Sequence, residues 1–237
     1  MPLETGRAVQ DIVTRHLINP GFGLEIFYAF IIIACSLMIY FGTKELYELS
    51  SHKGIKYFRQ AFLFFALAYF SRIFIKFLLS YSSVAQVLDV STKAWSGLLA
   101  LIALPFFMYF SAMAVFSLVF SVAWKKLPKK GITMSVLKFV AVFLALIVLF
   151  FRNSAAYLFI NLILFFLVLI VVFMAKKSKS KYSLYTTYVL LLVFWILNIL
   201  DILVPWITVG FQLVLYIVSS GIFLMILYKV LRRTGAS

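Results

Sequence analysis

The sequence predicts an all-α polytopic membrane protein, a seven-transmembrane-helix bundle with the N-terminus outside and the C-terminus cytoplasmic. Three observations carry that expectation. The 237 residues are 65% hydrophobic and only 12% charged, about half the charged fraction of a soluble domain. The apolar residues gather in seven runs close to the ~20 residues that cross hydrocarbon. Lysine and arginine crowd alternate connections between those runs. The runs are continuous and do not alternate polar with apolar, so they read as helices and not as barrel strands.

Residues 1–21 form the first element. Glu4, Arg7, Asp11, Arg15 and His16 leave no apolar core for a secretory signal. Val9, Ile12, Val13 and Leu17 recur at helical spacing, which predicts a short amphipathic helix on the outer membrane surface. Asn19-Pro20-Gly21 is the turn that ends it.

The membrane domain covers 22–231, and 232–237 form a short cytoplasmic tail. The predicted spans are Phe22–Phe41, Tyr57–Leu79, Ser96–Trp124, Ile132–Phe151, Ser154–Ala175, Ser183–Val204 and Thr208–Leu231. Arg152-Asn153 and Pro205-Trp206-Ile207 are connections short enough to make spans four and five, and spans six and seven, antiparallel neighbours. Ser80 to Trp95 is the one sizeable outer loop expected. Trp95, Trp124 and Trp206 fall at predicted interfaces. Spans one and two flank a basic loop, as do five and six, a hydropathy pattern that allows three spans, one span and three spans.

Orientation follows from the basic residues. Lys44, Lys53, Lys56, Lys125, Lys126, Lys129, Lys130, Lys176, Lys177, Lys179, Lys181, Lys229, Arg232 and Arg233 lie on one side. Arg7, Arg15, Lys93 and Arg152 lie on the other. The richer side is cytoplasmic, so the protein is expected in the plasma membrane with its basic face on anionic lipid. The net charge of +15 is therefore a membrane signal, and nucleic acid is not an expected partner.

Enzyme chemistry is not expected. Cys35 is the single cysteine, and His16 and His52 lie outside the spans, so no metal-ligand spacing exists. No nucleophile motif or glycine-rich phosphate loop occurs. No cofactor is implied.

Ionisable residues inside the spans are the candidates for function, because each costs about 2.5–3.5 kcal/mol at a helix centre. At 1.5 Å per residue, Arg72 lies about 22 Å and Lys76 about 28 Å in from the cytoplasmic end of span two. Asp201 lies about 27 Å in along span six. All three fall in the outer half, where Arg72 and Asp201 are expected to pair. Tyr69 shares a helix face with Arg72 and Lys76, and Asn198 shares one with Asp201. Asn161 with Tyr157, and Gln212 with Tyr216 and Ser219, add polar stripes at the same level. The ligand-binding set is therefore Arg72, Lys76, Asp201, Asn198, Tyr69, Asn161, Gln212 and Tyr216. Two readings of Lys76 stay open: a ligand contact, or a side chain that snorkels to the outer headgroups. Glu25, one turn below the outer surface, is expected to favour the positive end of its own helix. On that assignment one cation is left without a partner, which points to a small anionic ligand or a lipid headgroup.

Gly23-Leu24-Glu25-Ile26-Phe27-Tyr28 and Lys53-Gly54-Ile55-Lys56-Tyr57-Phe58-Arg59 resemble a group of uncharacterised archaeal seven-helix membrane proteins. The resemblance covers about a quarter of the chain, chiefly spans one and two, and implies no activity. The residues favour a receptor-like or sensor-like bundle that binds a small ligand or lipid in its outer half. A small-solute or ion transporter or channel, or a non-catalytic subunit of a membrane complex, is the alternative. Pro105 and Ser219-Ser220-Gly221 are the weak points within spans, and they do not fall in matching positions of two halves as transporter helix breaks do.

Overall fold

A computed structural model describes residues 20–87, 93–124, 134–151, 154–177, 184–203 and 209–234, with side chains at 20–22, 75–104 and a few helix ends outside that description. The expected amphipathic helix within 1–21, the basic loops near 125–130 and 178–183, and Pro205 to Ile207 lie outside the described residues. Among the described residues the fold is all-helical. The long helices are α1 (Pro20–Gly42), α3 (Lys53–Val87), α4 (Lys93–Ala123), α5 (Met134–Phe151), α6 (Ser154–Lys177), α7 (Tyr185–Leu203) and α8 (Val209–Thr234), with a short α2 (Lys44–Ser50) after α1. Among the described residues, five stretches are long and apolar enough to cross a membrane, in α1, α4, α5, α6 and α8, and Tyr185–Asp201 of α7 is a shorter apolar one. The protein is an integral membrane protein.

Two boundaries differ from the sequence reading. The expected outer loop from 80 to 95 is mostly helix, because α3 runs to Val87 and α4 starts at Lys93. Apolar periodicity marks only the lipid-buried part of a helix, whereas the backbone hydrogen bonds continue into the headgroup layer. The helix α2 was not expected. Thr43 precedes it, and Ser51 closes it in a left-handed conformation (φ 49°) with its N–H on the Tyr47 carbonyl.

The helices close into a ring. Neighbours run α1–α3, α3–α4, α4–α6, α6–α7, α7–α8 and α8–α1. The fourth span, α5, stands outside that ring and packs on α4. It therefore meets α6 over only a small area, although Arg152-Asn153 is the short connection between them. The reason is local: Ala141, Ala145 and Val148 are its buried residues, a narrow small-residue stripe that allows close approach on one side. Phe139, Phe143 and Phe150 point outward to lipid.

The lower end of the ring is the basic one, where Lys44, Lys53, Lys56, Lys176, Lys177, Lys229 and Arg232 are found. Aromatic rings fill the lumen towards that end: Phe65 lies against Phe62, Phe194 and Phe223 with centroids 6.0 to 6.5 Å apart, and Phe194 meets Phe223 at 4.5 Å. These edge-on and tilted contacts supply dispersion that hydrocarbon tails cannot match in geometry. Lower still, Ser121 and Tyr188 hydroxyls meet at 2.8 Å between α4 and α7. Arg59 is fixed at the lower rim, its Nε donating to the Tyr40 carbonyl at 3.0 Å and its guanidinium 4.8 Å over the Tyr40 ring. The upper end, where α1 begins, is different in kind.

Candidate functional site

At the upper end the lumen is polar, and its centre is Arg72 of α3. Nη2 of Arg72 lies 2.9 Å from Asp201 Oδ2 of α7. The same nitrogen lies 3.0 Å from Glu25 Oε1 of α1, and Arg72 Nε donates to that oxygen at 3.1 Å. One guanidinium thus joins three helices, because its donors fan out in a rigid plane that an ammonium lacks. The backbones of α3 and α7 are not adjacent in the ring, and their side chains meet across its interior, as Phe65 does with Phe194 and Tyr69 with Asn198.

Glu25 is the residue whose surroundings sequence reasoning missed. It is 7% exposed and faces Arg72, not the headgroups. Inside the ring, a hydrogen-bonded guanidinium offsets more of a carboxylate's desolvation than a helix end does alone. The depth arithmetic held the signal: Glu25 and Arg72 stand at nearly the same level of the bilayer. The expected pairing of Arg72 with Asp201 is present, whereas the expected isolation of Glu25 at its own helix end is not, because Glu25 also faces Arg72.

A hydroxyl chain runs beside the ionic cluster. Asn198 Nδ2 donates to the Phe194 carbonyl at 3.0 Å, which turns its Oδ1 toward Tyr69. The Tyr69 hydroxyl donates to that Oδ1 at 2.9 Å. Its one proton is then used, so the Tyr28 hydroxyl, 3.0 Å away, is the donor to Tyr69. Tyr28 is buried, stacks on Tyr216 of α8 at 4.8 Å, and meets the Tyr69 ring edge-on at 5.7 Å. Tyr28 was not singled out from the sequence. Its spacing of three residues from Glu25, on the same helix face, was the available signal.

The other expected site residues divide into those brought together and those not. Tyr69, Arg72, Asn161 and Asn198 line one small space of about 20 Å³ with Ser111 and Tyr157. That is room for about one water. Asn161 donates to the Tyr157 carbonyl one turn earlier at 2.9 Å. Tyr216 lies on the other side of Tyr28 and lines a separate groove between α1 and α8. Gln212, one turn before Tyr216 on α8, lines neither space. Lys76 follows Arg72 by one turn in α3, but its side chain lies outside the described residues. No group of His, Cys, Asp and Glu able to hold a metal occurs among the described residues.

The arrangement can do one thing chemically: hold a permanent cation between two carboxylates, next to oriented hydroxyl and amide groups, where any acceptor that entered would compete for Arg72.

No protein-family model matches the chain, and no solved structure matches it. The chain is 33% identical over 214 residues to an uncharacterised protein of Archaeoglobus fulgidus, an alignment that covers 88% of this chain and 92% of that one.

Proposed function

The chain belongs to the family of that archaeal protein, and from this premise we propose that it is a receptor-like or sensor-like membrane protein. Its sensing element is the Arg72 cluster, and its N-terminus faces outward in the plasma membrane. The observation that carries the reading is that one guanidinium links α1, α3 and α7 across the lumen. In a low-dielectric interior such a joint is stable when made and costly when half-made, so it has two distinct states. A small carboxylate or phosphate, free or on a lipid, is the ligand chemistry that competes with Glu25 or Asp201 for Arg72. The basic lower rim is the surface for anionic lipid or a protein partner.

Proteoliposomes test the reading. The protein is reconstituted and proton and potassium fluxes are followed under an imposed gradient, for the natural chain and for Arg72→Met. The receptor reading expects no protein-dependent flux from either. Flux that disappears in Arg72→Met would establish a transporter or channel in its place.

A further inference from the structure

We propose that the groove between α1 and α8 is a binding site for the hydrocarbon chain of a fatty acid, and that Tyr28 transmits its occupancy to the Arg72 cluster. The proposal deepens the receptor reading by giving its ligand class.

The groove measures about 320 Å³, within the ~300–1,000 Å³ of small-molecule sites. Its α8 wall is Leu213, Ile217, Gly221 and Leu224, and its α1 wall includes Leu24 and Ile31. The α8 residues recur at helical spacing and form one stripe. From 213 to 224 that stripe is about 16 Å long.

The helix pair is built to leave this space. Below the groove, α1 and α8 touch: a Cβ on Gly42 would lie 2.7 Å from Leu231 Cδ2. Within the groove, a Cβ on Gly221 would meet nothing within 4 Å. The weak point Ser219-Ser220-Gly221 is therefore not a helix break. The helix α8 runs through it unbroken, and the missing side chain at Gly221 is open volume.

Hydrocarbon is the occupant the surroundings select. The rim residues Phe27 and Ile217 are 63% and 62% exposed on apolar membrane-crossing helices. Water gains no partners on such walls, and an unfilled groove forfeits dispersion on every lining atom. A helix from another chain, about 10–12 Å across with its side chains, fills roughly 1,300 Å³ or more over 16 Å, several times the volume of the groove. A single chain fits it.

Tyr28 makes the groove more than lipid contact. Its ring lines the groove with Tyr216, and its hydroxyl bonds Tyr69, which lines the inner cavity beside Arg72. A chain pressed against Tyr28 bears on the hydroxyl chain one contact away from the cluster.

A fatty acid with a diazirine in its chain, in phosphatidylcholine vesicles, tests the assignment by photolabelling. Residues 24–31 and 213–224 should be labelled well above the lipid-facing side of α5, where Phe139, Phe143 and Phe150 report incidental lipid contact. In Gly221→Phe, labelling of the groove should fall on the order of tenfold, equivalent to about 1.4 kcal/mol. Gly221→Ala should retain it. Leu24→Trp fills the groove from the opposite wall and gives the same loss should Gly221→Phe fail to fold. Groove labelling no higher than that of α5, or unchanged by both blocking variants, overturns the site and leaves the Arg72 reading standing. Tyr28→Phe separates the two claims: it should keep the labelling and lose the oleate-induced change in the spacing of α1 and α8. Intact labelling of the natural chain with no such change, or a change that Tyr28→Phe retains in full, overturns the link to the cluster instead.

Discussion

Arg72 Nη2 and Asp201 Oδ2 lie 2.9 Å apart, although 129 residues separate them in the chain. Each would be costly alone at that depth, and with Glu25 they form one ionic unit. Arg72→Met leaves two carboxylates facing each other and should destabilise the bundle by about 3–5 kcal/mol. Glu25→Gln, Arg72→Met and Asp201→Asn together should recover most of that loss. Unfolding in detergent micelles measures both. A triple variant as unstable as Arg72→Met would show that the ion pairs do not govern the stability of the upper lumen.

The hydroxyl chain makes its variants predictable. Tyr69→Phe removes the donor to Asn198 and the acceptor for Tyr28, and Tyr28→Phe removes the bond to Tyr69 and the contact with the Ser219 hydroxyl. Membrane hydrogen bonds average about 0.6 kcal/mol, so each variant should cost roughly 1 kcal/mol. Unchanged stability of either variant in the same unfolding assay would contradict the assigned chain.

Ser36 and Ser117 are buried, and their hydroxyl oxygens have no hydrogen-bond partner among the described residues. Removing an unsatisfied buried hydroxyl removes its desolvation cost. Ser36→Ala and Ser117→Ala should leave stability unchanged or raise it by about 1 kcal/mol. A drop comparable to that of Tyr69→Phe would mean that those hydroxyls are bonded after all.

Much of this was legible in the sequence. Continuous apolar runs locate the seven long helices, because a helix in lipid must satisfy its backbone internally. Depth arithmetic places Arg72 beside Asp201, because both are counted from the same face of the bilayer. What was not legible depends on which way each helix is rotated. Glu25 at a helix start has a sufficient local explanation, and only the ring turns it toward Arg72. Tyr28 is one aromatic among many until Tyr69 and Tyr216 close around it. The outward position of α5 is equally hidden, since phenylalanines suit lipid and core alike and only Ala141 and Ala145 mark the packed side.

The orientation is a separate test. A cysteine replacing Lys179 should be protected from an impermeant thiol reagent in intact cells, and one replacing Lys93 should be labelled. Cys35 is 3% exposed and gives little background. The reverse pattern would turn the protein over and place the Arg72 cluster in the cytoplasmic half.

The central claim is that a ligand changes the state of the Arg72 cluster, and one distance reads it directly. Gly23 and Gly210 stand exposed at the upper ends of α1 and α8, and a Cβ on either meets nothing within 4 Å. Spin labels on cysteines at both positions, in a Cys35→Ser background, report the spacing of those helices by pulsed electron resonance in phosphatidylcholine vesicles. Arg72→Met supplies the distribution of the released state. The account predicts that oleate shifts the distribution of the intact cluster toward that of Arg72→Met. The same distribution with and without oleate, while Arg72→Met differs, would contradict it.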